Sequence, residues 1–174
     1  MQFLLYWVKV SISKAYYKCK LFEMDDAEYP LALAASWPLV CTSLSWFLVV
    51  RLGVHLYYQT GDRLLLWLAG TVFSTATFSV IHWADARYGP RRYADMVMAT
   101  VSLIFFTIVA GLRIRDKWIA LFGWPIWPIM ALFYRKSIEA YRQKQARWIT
   151  YHAAFHICVG SGQALIMFGT ALTS

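Results

Sequence analysis

Leu64-Leu-Leu-Trp-Leu-Ala-Gly-Thr-Val-Phe-Ser-Thr-Ala-Thr-Phe-Ser-Val-Ile-His-Trp-Ala84 contains no Asp, Glu, Lys or Arg. Wound as a helix at about 1.5 Å per residue, this run covers the roughly 30 Å hydrocarbon core of a bilayer. Gly61-Asp62-Arg63 precedes it and Asp85 follows it, so polar turns bound it on both sides. Four further stretches lack those charged residues: Leu31 to Val50, Met96 to Leu112, Trp118 to Tyr134 and Trp148 to Ser174. The pattern predicts an all-α, polytopic transmembrane helical bundle of about five spans. The Met96 and Trp118 runs are short, so they must borrow flanking residues or cross where the membrane is thin.

Composition agrees with that expectation. The chain has 174 residues, 60% hydrophobic and only 15% charged. A water-soluble domain carries roughly 25% charged residues and, at this size, has no core able to hide the surplus apolar surface. Aromatics make up 18%, with nine Trp and eleven Tyr, residues that favour the membrane–water interface. The chain divides into an N-terminal interfacial segment, 1–30, and a transmembrane helical domain, 31–174. The apolar start from Met1 to Val8 is too short to span and is followed by Lys9, Lys14, Lys18 and Lys20. That arrangement reads as an amphipathic helix lying on the membrane.

The formal net charge is +8. Because Lys and Arg lie between apolar runs, their expected partners are lipid headgroups and not nucleic acid. The N-terminal segment and the connections around Arg91 and Arg142 hold most of the cations. The opposite connections hold Arg51, Arg63, Arg113, Arg115 and Lys117. The positive-inside rule then puts the N-terminus on the cytosolic side, or on the matrix side of an inner mitochondrial membrane, and Ser174 opposite. Arg91, Arg92, Arg142 and Arg147 are candidates to hold a phospholipid headgroup such as cardiolipin. Cys19, Cys41 and Cys158 have no metal-binding spacing and imply no disulfide framework. Pro125 and Pro128 predict a kink in the fourth span. Gly160, Gly162 and Gly169 predict close helix packing in the fifth.

Ionisable groups at membrane depth mark functional sites by default. His152 and His156 are four apart, which places both imidazoles on one helix face, about 6 Å apart along the axis. His82 ends the second span and Asp95 opens the third. With five spans, the second helix ends where the third and fifth begin, so all four residues lie at similar depth near one face. Three histidines can hold zinc with a water in the fourth position. Asp95 can then act as general base, and Ser79, one turn before His82, can position a carbonyl. Asp85 is a rival to Asp95 unless it pairs with Arg87 or Arg91. His55, near the other face, reads as an interfacial residue.

Ser79-Val-Ile-His82, Asp95 and His152-Ala-Ala-Phe-His156 resemble the motifs of the CREST superfamily of membrane hydrolases. That group includes alkaline ceramidases, the adiponectin-receptor family and GPI-anchor-remodelling lipid hydrolases. The resemblance implies Zn2+ held by His82, His152 and His156, with hydrolysis of an amide or ester in a lipid such as ceramide. Glu23, Asp25, Asp26 and Glu28 resemble the calcium-binding segment of alkaline ceramidases, but their spacing differs and a solvated turn is the preferred reading. Two other expectations stand beside the hydrolase. The chain is shorter than such hydrolases, as suits a non-catalytic accessory subunit of a larger membrane complex, mitochondrial among the options. Alternatively, His82 with His152 or His156 would serve as axial ligands of a haem-binding membrane anchor.

Overall fold

A computed structural model describes residues 33–86 and 89–174. The expected interfacial helix and the acidic turn at Glu23 to Glu28 lie outside the described residues. Among those described, the chain is all helical: α1 Leu33–Thr60, α2 Arg63–Ala84, α3 Pro90–Arg113, α4 Lys117–Gly123, α5 Ile126–Arg142 and α6 Trp148–Ala171. Four of them, α1, α2, α3 and α6, are long and apolar enough to cross a membrane. The protein is therefore a membrane-embedded helical bundle.

Local chemistry sets the helix ends. Gly61 takes φ +74° after α1, and its N–H donates to the Tyr57 carbonyl at 2.7 Å. A left-handed residue just past a helix favours glycine. Asp62 then caps α2 by accepting from the Leu64 N–H at 2.9 Å. Gly89, at φ +134°, and Pro90 open α3, where proline's missing donor is harmless. Asp116 caps α4 by accepting from the Trp118 and Ile119 N–H groups at 2.8 and 2.9 Å.

The fourth expected span is not one continuous helix. It divides at Trp124-Pro125 into a 7-residue α4 and a 17-residue α5. Pro125 cannot donate to the preceding turn and its ring obstructs the carbonyl four residues back, so the helix stops and restarts. At about 10 and 26 Å respectively, neither piece alone matches the bilayer core. The last turns of α5 are polar and carry an exposed Arg135–Glu139 pair at 2.7 Å, one helical turn apart. The hydrogen bond from Arg135 holds the Glu139 carboxyl below its usual value. Thus α5 continues beyond its apolar portion.

Helix α6 is the central member, packing against each of the other five. Among the described helices, α5 packs only on α6 and α4, and its backbone does not approach α3. The apolar core joins Trp46 and Leu56 of α1, Leu65, Leu68 and Val72 of α2, Phe106 and Val109 of α3, and Met167 of α6. Large apolar side chains such as Leu48, Trp67, Ile108 and Leu132 point outward. That is the arrangement a bilayer, not water, solvates. At the end opposite the histidines, Asp62 meets Arg113 at 3.5 Å and accepts from the Ser174 hydroxyl at 2.9 Å.

The glycines of α6 serve close approach as expected. A Cβ on Gly160 would stand 2.9 Å from Trp46 Cδ1, and one on Gly162 would meet Ile126 at 3.3 Å. Gly169 faces Ile114 and Ile119. Gly160→Ala should cost roughly 1–3 kcal/mol through overpacking. It also displaces Trp46, whose Nε1 donates to the His156 carbonyl at 2.9 Å. A lowered midpoint of thermal unfolding in detergent checks this, and an unchanged midpoint contradicts it.

Candidate functional site

The candidate site is built from one face of each contributing helix. Residues spaced three and four apart share a helix face, and four helices use that spacing here. Helix α1 offers Thr42, Ser43 and Trp46, and α2 offers Ser79, His82 and Trp83. Helix α3 offers Arg92 and Asp95, and α6 offers His152, Phe155 and His156. Ser137 and Tyr134 of α5 complete the set. His82, His156, Ser43, Ser79 and Ser137 are buried, and His152 is half-buried.

The structure brings the sequence-predicted histidines into one neighbourhood. The His152 and His156 rings lie 4.9 Å apart between centroids. Trp83 stands among the imidazoles, with ring centroids 4.5 Å from His82, 5.2 Å from His152 and 6.4 Å from His156. His82 is close enough for its charge to act on both other histidines. Among the described residues, however, no group of three His, Cys, Asp or Glu side chains gathers tightly enough to form a metal cage as it stands.

Hydroxyl groups hold the His156 ring through Nδ1. Thr42 Oγ1 lies 3.1 Å from His156 Nδ1, and Ser43 Oγ lies 3.4 Å away. Both hydroxyls already donate to the Leu39 carbonyl, at 3.1 and 2.8 Å. These contacts engage His156 through Nδ1 and turn Nε2 away from the hydroxyls. With the proton on Nδ1, Nε2 carries the lone pair that a metal takes. His152 Nδ1 has a similar partner in Ser137 Oγ at 3.2 Å. His82 Nδ1 is buried with no hydrogen-bond partner. Two oriented imidazoles and one unpartnered ring nitrogen are a donor set whose chemistry suits zinc.

Asp95 and Ser79 also meet. The Ser79 hydroxyl donates to the Asp95 carboxylate and lies 3.0 Å from Ser43 Oγ. Asp85, the rival carboxylate, is engaged by Arg91 at 2.9 Å on the exposed rim. The four arginines grouped by the sequence divide. Arg91, Arg142 and Arg147 are exposed, and Arg147 Nε donates to Gln145 at 2.6 Å. Arg92 instead is half-buried and lies where its charge reaches His82, Asp95, His152 and Tyr134. His55 is exposed near the other end of α1, apart from the cluster.

Sequence reasoning missed Thr42, Ser43, Ser137, Trp83 and the inward placement of Arg92. Only Trp83 carried a usable signal, its position beside His82. The hydroxyl residues look like any small polar residue within an apolar run.

Together these features define the class: a polytopic α-helical membrane protein with a buried histidine–aspartate–hydroxyl cluster near one end. Comparison with protein-family models, with curated proteins and with solved structures finds nothing that matches this chain.

Proposed function

We propose that this protein hydrolyses the amide bond of a membrane lipid, with ceramide as the leading example, at a zinc site formed by His82, His152 and His156. The observation that carries the proposal is the gathering of His82, His152 and His156 around Trp83, with His152 and His156 each held by hydroxyls through Nδ1. A ring held through Nδ1 presents Nε2 to a cation. Zinc, when bound, supplies a Lewis acid and lowers the pKa of a water.

The chain's own residues supply the rest. Asp95 takes the proton from water, and the resulting hydroxide attacks the amide carbonyl carbon. The C–N bond then breaks, and Asp95 returns the proton to the leaving amine. Ser79 orients Asp95 through its hydrogen bond. Trp83, Phe155 and Tyr134 keep bulk water from the cluster. The exposed Arg91, Arg142 and Arg147 hold anionic headgroups at the cytosolic or matrix face, in an endoplasmic reticulum, Golgi or inner mitochondrial membrane.

A haem between His82 and His152 is disfavoured, because Trp83 occupies the space beside both rings. One observation favours a second reading: the histidine side chains do not close into a cage. On that reading the chain is a non-catalytic accessory subunit and purifies with partners at fixed stoichiometry.

Full-length protein in nanodiscs containing N-acyl sphingosine separates the two. Hydrolysis predicts release of free fatty acid that stops with a zinc chelator and returns with added zinc. Stoichiometric zinc without any release overturns the hydrolase reading.

A further inference from the structure

Trp83 is 5% exposed, and its Nε1 is buried with no hydrogen-bond partner. The neighbouring ring nitrogen, His82 Nδ1, is in the same condition. An indole N–H can only donate. Left without an acceptor in a low-dielectric interior, it is a source of instability that buried donors almost always avoid. The remaining polar groups around the histidines have partners within the protein: His156 with Thr42 and Ser43, His152 with Ser137, and Asp95 with Ser79. The Trp83 ring that carries this donor stands within 6.4 Å of all three imidazole rings, between centroids.

We infer that Trp83 Nε1–H is the donor that receives the acyl carbonyl oxygen of a bound lipid. A carbonyl oxygen is the acceptor that matches a lone neutral donor. The aromatic surround of Trp83, Trp148 and Phe155 suits the apolar chain attached to it. A charged phosphate oxygen would find its complement at the arginines, not at an indole. This inference deepens the amide-hydrolase reading by naming how the acyl group is gripped, but it concerns binding and does not require turnover. Trp83 is accordingly a substrate-binding residue, placed so that the carbonyl lies next to the histidines.

The test uses two uncleavable lipids. One is the ketone isostere of N-hexanoyl sphingosine, in which CH2 replaces the amide N–H and the carbonyl oxygen is kept. The other is the same molecule with that carbonyl reduced to CH2. Wild-type protein in nanodiscs should bind the ketone roughly 3- to 10-fold more tightly, the worth of one neutral hydrogen bond. Trp83→Phe keeps an aromatic ring and removes the N–H, so it should bind both lipids equally. Its unfolding midpoint without lipid should fall only by the packing lost with the smaller ring, because the orphan donor has no bond to lose. If Trp83→Phe does not fold, the indole proton resonance of Trp83 in the wild type replaces it. That resonance should move downfield with the ketone and stay in place with the reduced lipid.

Discrimination that persists in Trp83→Phe, or is absent from the wild type, overturns the inference. A resonance indifferent to the carbonyl does the same. Because no turnover is read, a protein that discriminates yet never releases fatty acid retains this site and loses only the hydrolase reading.

Discussion

Replacing His156 with alanine should remove zinc from the purified protein. If the proposed site exists, wild type carries close to one equivalent, and His156→Ala should fall below about a tenth of that, because two remaining ligands cannot hold a tetrahedral ion. Turnover should vanish with the metal. The substitution also leaves the hydroxyls of Thr42 and Ser43 without their imidazole partner, so some loss of stability accompanies it. His55→Ala is the control, since His55 is exposed and remote from the cluster. It should retain wild-type zinc. Metal analysis of the three proteins decides the matter: equal zinc in all three, or none in any, defeats the proposed centre.

Asp95→Asn should produce the opposite combination. The amide side chain keeps the size of the carboxylate and can still accept from Ser79, but it cannot take a proton from water. Turnover should drop by about 100- to 10,000-fold, the usual contribution of a general base, with the zinc content unchanged. A fall in kcat without a matching rise in KM is the signature of a group acting on the chemical step. Activity within twofold of wild type would assign the base to another group. Loss of zinc together with activity would make Asp95 a support for the metal site.

The span pattern was open to sequence reading because a bilayer imposes a simple rule on α2: enough consecutive residues without charge. The same rule misleads over Trp118 to Tyr134. Hydropathy there is continuous, but the backbone is not, since Pro125 ends one helix and begins another. The meeting of His82, Asp95 and the HxxxH pair followed from which helix ends share a face, a consequence of counting spans. What could not be read is anything set by helix rotation. Arg91 and Arg92 are neighbours in sequence, yet a one-residue step turns a helix by about 100°, sending one to the rim and the other toward the histidines. Thr42, Ser43 and Ser137 were hidden for a different reason. A hydroxyl in an apolar helix most often bonds its own backbone, as Thr71, Thr75 and Thr77 do here. Thr42 and Ser43 bond the Leu39 carbonyl in the same way, and only the facing helix reveals their second partner, His156.

Among the described helices, the α5 backbone leans on α6 and α4 alone and does not approach that of α3. Arg92 of α3 and Tyr134 of α5 thus approach one another through side chains alone, with no close backbone contact between their helices. Under the proposed function, a two-tailed substrate would enter between these two helices by diffusing in the plane of the membrane, without first being extracted into water. Its encounter rate would then be governed by its mole fraction among neighbouring lipids, and the surrounding bilayer would be its principal competitor.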